Sequence, residues 1–506
     1  MIDDLAIPPV PAPASPAPAT PATPAAPLPY AFARRHGVVV DACGQASYRA
    51  GIALEALVEV QRRCGDGVVF TTVDEATFEA RMRVLYRDSA TDAADLAASG
   101  TDLAALADSA AAVDDLLDNR DDSPVIRLIN ALLLEAVRAR ASDIHVETQD
   151  KRCVVRFRID GRLRDVVEPA RALAPLLTSR IKVMARLDIA EKRVPQDGRV
   201  SLRVGGHEID VRVSTLPAQH GERVVLRLLD RDTVDLDVAK LGMSSRDRAV
   251  FTGMLTRPNG MILVTGPTGS GKTTTLYAAL SALNDRQRNI MTVEDPIEYE
   301  LDGIGQMQVN PRIDLTFARG LRAILRQDPD VIMVGEIRDY ETAEMAVRSS
   351  MTGHFVLSTL HTNSAVGSIT RLVDMGVERY LLAPMLTGLV AQRLVRALCP
   401  ACRAPGIATA LDSDLTGGAV AVGSALFRAV GCAECGHEGF RGRHAIYEIV
   451  AVDANLRALI HDGAAEADLV RAARAAGPGL ADDGAAKVAS GVTTVEELAR
   501  VVRDDG

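Results

Sequence analysis

The stretch MILVTGPTGSGKTTTLYAALSAL, Met261 to Leu283, decides the fold of this chain. It opens with a short apolar run typical of a buried strand and closes with a run of helix-forming residues. Between them, GPTGSGKT at Gly266 to Thr273 fits the pattern G-x-x-x-x-G-K-[ST]. A strand, a glycine loop and a helix in this order predict a phosphate-binding loop, whereas a purely structural glycine turn would not need that order.

Each residue type in the loop has a chemical reason. Glycines let the backbone curl so that its N–H groups point at phosphate oxygens. Lys272 is expected to reach the β and γ phosphates, and the Thr273 hydroxyl is expected to bind Mg²⁺ at the positive end of the helix. ATP and Mg²⁺ are therefore the expected ligands. The predicted nucleotide-binding residues are Gly266, Pro267, Thr268, Gly269, Ser270, Gly271, Lys272, Thr273 and Thr274.

Short apolar segments on both sides of the loop extend the pattern. MILVT, NIMTVE, DVIMV and HFVLST alternate with helical stretches, which predicts a parallel α/β sheet covered on both faces. One of these helices is predicted over residues 317–327, where Arg322 and Arg326 stand four residues apart and share a side.

Two acidic residues follow neighbouring strands of this sheet. Hydrolysis needs a group that orients water and a group that completes the metal site. TVEDPIE supplies Glu294, and DPDVIMVGEIRD supplies Glu336 one residue beyond the place where an aspartate usually stands. Because a glutamate side chain is longer than that of aspartate, Glu336 can still reach the metal site from one residue further on. Gly335 leaves room beside a γ-phosphate. We predict that Glu294 and Glu336 are catalytic and that Glu336 and Thr273 hold Mg²⁺, the alternative being a buried structural glutamate.

His361 follows the strand HFVLST at the same edge of the sheet. Open α/β sheets bind ligands at the carboxyl ends of their strands. His361 is therefore predicted to sense the γ-phosphate, although a lone histidine is also often structural.

Four cysteines form two C-x-x-C pairs, Cys399 with Cys402 and Cys432 with Cys435. Two such pairs can close a tetrahedral zinc site with no open position, so we predict structural Zn²⁺. A redox pair would need only one C-x-x-C, and His437 is a competing ligand candidate.

Size and composition set the class of protein. The chain has 506 residues, 47% of them apolar and 25% charged, which is typical of a soluble protein of several domains. A net charge of −10 argues against a dedicated nucleic-acid binder. No apolar run is long enough to span a membrane, and the acidic N-terminus does not resemble a secretory signal. We expect a cytoplasmic protein that reaches the membrane only through partners.

Composition shifts along the chain predict seven segments. Residues 123–235 are predicted to form an α+β domain, with one helix and two hairpins that turn at Asp160-Gly161 and Gly205-Gly206. Arginines on its strands, such as Arg212 and Arg227, either face solvent or serve a site. The predicted segments are a Pro/Ala-rich leader (1–29), a small N-terminal domain (30–87), an acidic linker (88–122), the α+β domain (123–235), the ATPase core (236–396), a Cys₄ subdomain (397–445) and a C-terminal helical subdomain (446–506).

The motifs as an ordered set resemble one family, the secretion ATPases of type II secretion and type IV pilus systems. The resemblance covers residues 123–506. It is most similar to the type II branch, the general secretory pathway E proteins, in three segments: LPYAFARRHGVVV, GIGQMQVN and GFRGRHAIYEI. The shared motifs are the phosphate loop, TVEDPIE, LRAILRQDPDVIMVGEIRD, TGHFVLSTLHTNSA, QRL and the C-x-x-C pair.

The resemblance implies an α/β fold with a RecA-like P-loop ATPase domain, preceded by a PAS-like α+β domain and a small N-terminal domain. It implies a homohexamer on the cytoplasmic face of the inner membrane, docked through the N-terminal domain on the cytoplasmic domains of the L-type and F-type platform proteins. ATP turnover would drive pseudopilus assembly and protein export. The implied site residues are Glu294 (aspartate box), Glu336 (Walker B), His361 (histidine box) and the phosphate-sensing arginines Arg212, Arg227, Arg322 and Arg326.

Other functions remain open at this point. A type IV pilus assembly ATPase is the nearest alternative, and a retraction ATPase fits less well because that group lacks the cysteine quartet. A nucleic-acid translocase is disfavoured by the acidic charge and by an aromatic content of 3%. A scaffold that binds nucleotide without hydrolysing it is disfavoured by the complete phosphate loop and the two acidic strand ends.

Overall fold

The computed structural model describes residues 28, 36–41, 45–49, 52, 54–64, 68–74, 77–78, 81, 103, 124–204, 207–230 and 236–502. The predicted leader and acidic linker, and the turn predicted at Gly205-Gly206, lie outside this range apart from Leu28 and Leu103. The chain divides into two compact units, residues 1–135 with 204–206 and residues 136–203 with 207–506.

The first unit contains a three-stranded sheet in the order β1-β2-β3. Strands β1 (Val38–Val40) and β2 (Gln45–Arg49) are antiparallel, whereas β3 (Val69–Val73) runs parallel to β2. The parallel pair requires a crossover, and helix α1 (Leu54–Cys64) lies between β2 and β3 in the sequence. Helix α2 (Pro124–Arg138) follows the predicted one-faced pattern and spans the boundary between the units in sequence.

A six-stranded sheet opens the second unit, in the order β6-β5-β4-β9-β8-β7. The hairpin predicted at Asp160-Gly161 is confirmed, because β5 and β6 pair across these residues, whose φ angles are 49° and 84°. Helix α3 (Ala174–Met184) packs against β4 and β9. The strands are β4 (Ala141–Thr148), β5 (Cys153–Ile159), β6 (Arg162–Val167), β7 (Gln196–Val204), β8 (His207–Ala218) and β9 (Gly221–Asp230).

The second unit also contains a seven-stranded sheet in the order β12-β11-β13-β14-β10-β15-β18. All neighbouring strands are parallel except β15 and β18, which are antiparallel. The strands are β10 (Gly260–Thr265), β11 (Ile290–Glu294), β12 (Gly305–Gln308), β13 (Val331–Val334), β14 (Phe355–Leu360), β15 (Leu386–Leu398) and β18 (Phe440–Ala451).

Both faces of this sheet are buried, as the continuous apolar runs predict. Along β10, Met261 and Leu263 belong to one core cluster, whereas Ile262 and Val264 belong to the other. Because successive side chains of a strand point to opposite faces of the sheet, β10 contributes residues to both hydrophobic cores. The covering helices are α4 (Ser245–Leu255), α5 (Lys272–Leu283), α6 (Phe317–Ile324), α7 (Tyr340–Met351), α8 (Gly367–Asp374) and α9 (Arg379–Met385).

Helix α6 is shorter than the predicted 317–327, because it ends at Ile324 and residues 325–327 form a turn. Asp328 has a φ of 52° and precedes Pro329, and a residue before proline is disfavoured in the helical conformation. The helix therefore has to stop before this pair.

The segment between β15 and β18 is an insertion between two paired strands of the main sheet. It contains a two-stranded sheet of β16 (Ala404–Ile407) and β17 (Ala425–Arg428) and helix α10 (Ala410–Leu415). Both strands cross residue numbers proposed above as domain boundaries, since β15 continues past 396 and β18 continues past 445. The chain ends in four helices, α11 (Ala454–Asp462), α12 (Glu466–Ala476), α13 (Leu480–Ala489) and α14 (Val495–Val502). Each helix in the described part of the chain is too short or too polar to cross a lipid bilayer.

Candidate active site

The glycine loop lies between β10 and α5, at the carboxyl end of β10, which lies between β14 and β15 in the sheet. Gly271 caps α5 with a φ of 88°, and Gly266 has a φ of 149°. A Cβ atom at Gly266 would lie 2.4 Å from the carbonyl oxygen of Gln392. The loop can therefore keep this tight curve only with glycine at position 266.

Lys272, at the first turn of α5, is buried, and its ammonium group is folded onto the loop. Its Nζ donates to the carbonyl oxygens of Gly266 at 2.7 Å and Pro267 at 3.1 Å. Burial lowers the pKa of Lys272 to about 8, although the charge of Glu336 opposes this shift. A bound phosphate group could replace the two carbonyls as the acceptor of the Lys272 hydrogen bonds. Its negative charge would favour the protonated, charged form of the lysine.

A cavity of about 900 Å³ opens in front of the loop. It is lined by Pro267 to Thr274, by the two predicted catalytic glutamates and by His361. The predicted loop, both carboxylates and the histidine therefore line the same cavity. Such a volume is within the range of ligand pockets.

Glu336 lies just after β13 between two basic side chains. Arg338 Nη2 donates to its Oε1 at 2.6 Å, and His361 Nε2 lies 3.5 Å from its Oε2. The hydrogen bond to Glu336 raises the pKa of Arg338. Burial, followed by the charge of Lys272, lowers the pKa of His361, so the neutral imidazole is favoured at pH 7.

Gly335 lets the ends of two strands approach each other. Its N–H donates to Val293 O at 2.8 Å, and an added Cβ would lie 3.3 Å from that oxygen and 3.4 Å from Glu294 Cα. Besides leaving room in the cavity, this glycine therefore fixes the spacing between the two carboxylate-bearing strands.

Glu294, the last residue of β11, is buried, with 3% of its surface exposed. Its carboxylate accepts hydrogen bonds from the Tyr277 hydroxyl, from Thr292 Oγ1 at 2.5 Å and from Gln306 Nε2 at 3.1 Å. The predicted catalytic carboxylate is therefore held by donors from three different elements.

The four predicted phosphate-sensing arginines occupy different places. Arg227 lines the cavity and donates from Nε to Asp143 at 2.9 Å. Arg212 pairs with Glu298 at 2.7 Å and donates to the carbonyl of Ile297 at 2.9 Å, on the loop that follows Glu294.

The other two arginines are exposed, Arg322 on α6 and Arg326 in the turn that follows it. Arg322 pairs with Glu341, and Arg326 donates to the carbonyl of Arg322 at 2.8 Å. Within the described part of one chain, neither belongs to the lining of the cavity.

Arg393 on β15 is a cavity residue that the sequence reasoning missed. It is only 4% exposed, and its Nη2 donates to the carbonyl of Asn363 at 2.6 Å, two residues beyond His361. The signal was available, since an arginine inside the apolar run of β15 must be paired or functional. Four further arginines line the cavity: Arg158, Arg162, Arg443 and Arg500.

The cysteine quartet is brought together as predicted. All four Sγ atoms lie within 4.8 Å of one another, and three of the pairs are separated by 3.8 or 3.9 Å. A zinc ion bound tetrahedrally at about 2.3 Å from each sulfur requires sulfurs about 3.8 Å apart. Backbone N–H groups of Gly431, Cys432 and Gly439 also point at these sulfurs at 3.2 or 3.3 Å, which favours thiolates. The residues present therefore fit Zn²⁺.

Comparison with protein families gives two matches. Residues 118–500 match the type II/IV secretion system protein family, and residues 27–86 match an N-terminal domain of GSPII protein E.

Two curated relatives span nearly the whole chain. The type II secretion system protein E of Pseudomonas aeruginosa is 57% identical over 94% of this chain and 96% of its own length. The type II secretion system ATPase E of Vibrio cholerae is 52% identical over 94% of this chain and 97% of its own length.

Two solved structures have a similar fold. The pilus retraction motor PilT with bound ADP aligns with a TM-score of 0.51 and 27% identity over 74% of this chain and 96% of its own. The Legionella pneumophila ATPase DotB aligns with a TM-score of 0.56 and 21% identity over 75% of this chain and 96% of its own, a likeness of fold alone.

Proposed function

The chain belongs to the type II/IV secretion system family, alongside type II secretion ATPases, and from this premise we propose that it hydrolyses ATP to power protein export by a type II secretion system. One observation carries the chemistry. The glycine loop, Lys272 and the carboxylates of Glu294 and Glu336 all line one cavity at the carboxyl edge of the sheet. This is the arrangement that phosphoryl transfer to water needs, since it depends on positioning and charge rather than on a covalent intermediate.

We assign the residues of the cavity as follows. The loop backbone and Lys272 bind the β and γ phosphates, and Thr273 and Glu336 are placed to hold Mg²⁺. When bound, the metal ion neutralises charge on the phosphates. His361, beside Glu336, responds to the γ-phosphate, and Glu294 orients the attacking water. Arg227 and Arg393 supply positive charge at the cavity wall.

Arg322 and Arg326 fit a role between subunits. Arg322 is exposed on α6 and Arg326 in the turn after it, and both lie outside the cavity formed by the described residues of their own chain, so they would have to reach a phosphate in a neighbouring copy. A ring of identical subunits makes such head-to-tail contacts, and a homohexamer is the ring that the family resemblance implies.

The cysteine quartet has a structural role in this proposal. Four thiolates fill the coordination sphere of Zn²⁺, so no position remains for a substrate. The ion would tie the start of the insertion, at Cys399, to its end, at Cys435.

The partners follow from the family. We propose that residues 30–87 dock on the L-type and F-type platform proteins and that the protein acts on the cytoplasmic face of the inner membrane. ATP turnover would then drive assembly of a pseudopilus. The match of residues 27–86 to an N-terminal domain of GSPII protein E supports the first part.

The decisive experiment compares Lys272→Ala with Lys151→Ala in the full chain. Lys272→Ala removes the charge at the phosphates, so Mg²⁺-dependent ATP turnover should fall on the order of 100-fold or more. Lys151 is exposed in the turn between β4 and β5, so its removal should leave turnover within about twofold.

The same two variants also test export. In a secreting strain that lacks its own copy, Lys272→Ala should leave exported enzymes in the periplasm, whereas Lys151→Ala should restore export. Normal turnover in Lys272→Ala would contradict the ATPase assignment. Turnover that is lost without any effect on export would contradict the assignment to secretion.

A further inference from the structure

Tyr277 connects the phosphate-binding helix to the buried carboxylate of Glu294. Its ring is fully buried on α5, the helix that begins with Lys272, and it packs edge-on against Tyr299. Its hydroxyl donates to Oε2 of Glu294. A single helix therefore carries both the phosphate lysine and a donor to the carboxylate.

The other oxygen of Glu294 is already filled. Oε1 accepts from Thr292 at 2.5 Å and from Gln306 at 3.1 Å. An ionised carboxylate offers about four acceptor positions, two on each oxygen. Among the residues that the structure describes, Thr292, Gln306 and Tyr277 take three of these positions. The fourth is on Oε2, the oxygen that accepts from Tyr277.

Tyr277 is suited to be a constant donor. Burial, and then the charge of Glu294, raise the pKa of Tyr277, so the phenol keeps its proton throughout the working pH range. Its oxygen also accepts from the N–H of Glu298 at 3.3 Å. This leaves its hydrogen committed to Glu294.

We propose that Tyr277 is a positioning residue that orients Oε2 of Glu294, so that its last acceptor position faces the cavity and receives the attacking water. The inference rests on the proposed ATP hydrolysis and assigns a residue to the water side of that reaction. Tyr277 is not among the described residues that line the cavity. It acts through Glu294.

The test is Tyr277→Phe in the full chain, which keeps the packed ring and removes only the hydroxyl. Glu294 then loses the donor that fixes Oε2, so kcat for ATP should fall about 10- to 100-fold. KM for ATP should stay within about twofold, because Lys272 and the loop are unchanged. The matched control is Tyr447→Phe, whose ring is also fully buried and whose hydroxyl donates to Leu241 O at 3.1 Å rather than to Glu294. It should keep kcat within about twofold.

A combination with Glu294→Gln separates positioning from general loosening of the core. If Tyr277 acts only through Glu294, Tyr277→Phe should not lower kcat further in the Glu294→Gln background. Additive losses, or a wild-type kcat in folded Tyr277→Phe, would overturn the proposal.

Two controls keep the outcomes distinct. Lys272→Ala and the wild type show whether ATP is hydrolysed at all, so failure of the proposed function is seen separately. A structure of the wild-type chain with a non-hydrolysable ATP analogue does not depend on folding of the variant. It should show a water between the γ-phosphate and Oε2 of Glu294, and a water held by Glu336 alone would contradict the inference.

Discussion

At the scale of single residues, the sequence predicted the position of Glu336 at the sheet edge but not all of its neighbours. Its proposed role rests on its position beyond a strand end, and the structure adds neighbours that the sequence could not give. Arg338 lies two residues away in the chain, but His361 comes from another strand, 3.5 Å from the carboxylate. The pairing of Glu336 with His361 depends on the order of strands in the sheet, which no local pattern encodes.

We expect Glu336→Gln to bind ATP almost normally and to lose most of its turnover. The amide keeps the size of the side chain but lacks the charge for Mg²⁺, so kcat should fall on the order of 100-fold while ATP affinity changes only a few-fold. Turnover and nucleotide binding are measured separately. Glu344→Gln on α7, which loses the ion pair of a half-buried carboxylate with the exposed Arg348, is the control and should resemble the wild type.

Glu497 should contribute strongly to stability. Burial alone would raise its pKa, but the hydrogen bonds from Arg396 and Arg500 outweigh burial and lower the pKa to about 2. A carboxylate with a lowered pKa stabilises the fold above its ordinary pKa, near 4.3, and loses that contribution as the pH falls towards 2.

Glu497→Gln should therefore destabilise the protein at pH 7 by about 3 kcal/mol, because Arg396 stays buried without its partner. The loss should shrink below pH 4. Neighbouring Glu496, exposed beside Arg428, offers a matched control, since Glu496→Gln should cost less than about 1 kcal/mol. Chemical denaturation at several pH values measures both, and equal losses would refute the assignment.

At the scale of elements, the four apolar runs predicted the parallel strands β10, β11, β13 and β14, because each run is buried on both faces. The antiparallel strand β18 was not predicted. It pairs with β15 across the whole cysteine insertion, and such a long-range pairing leaves no local signal. For Arg393, the apolar run of β15 indicates a paired or functional arginine, but its place in the cavity depends on where β15 joins the sheet.

Gly335→Ala tests the spacing between β11 and β13. The new methyl group would lie 3.3 Å from Val293 O and 3.4 Å from Glu294 Cα, so the strand ends must separate by a few tenths of an ångström. We expect a loss of about 1 kcal/mol in unfolding free energy and a roughly tenfold drop in kcat.

The control for this substitution is Gly253→Ala in α4, where a methyl group meets no atom within 4 Å. It should leave kcat unchanged and should not destabilise the helix. A Gly335→Ala protein with wild-type kcat would show that the spacing is not critical.

The double variant Cys399→Ser with Cys402→Ser should lose bound zinc. Two oxygens in place of thiolates cannot complete the site, so metal content should fall from about one zinc per chain to near zero. The melting temperature should fall as well, because metal binding stabilises the folded insertion. The control is Cys64→Ser, in the first unit and outside the cysteine quartet; this variant should bind as much zinc as the wild type. Retention of zinc by the double variant would refute the Cys₄ assignment.

At the scale of the whole molecule, the exposed arginines Arg322 and Arg326 give a test of the ring. Lys272→Ala chains lack the phosphate lysine, whereas Arg322→Ala/Arg326→Ala chains lack the arginines, and each alone should be inactive. If the arginines act on a neighbour, mixed rings contain interfaces with an intact lysine on one side and intact arginines on the other.

Random mixing in equal amounts should make about a quarter of the interfaces complete, so activity should return to roughly that fraction of the wild type. Arginines that act within their own subunit would give no recovery, because no chain in the mixture carries both sets of residues. ATP turnover measured under conditions in which the ring assembles separates the two cases.

The strand β15 runs from the nucleotide cavity to the cysteine quartet. Arg393 lies on this strand at the cavity wall, and Cys399 follows its last residue directly. Removing the metal would release the far end of the strand that places the arginine. Zinc chelators should therefore lower kcat for ATP without raising KM. A shortage of zinc in the cell would then reduce export.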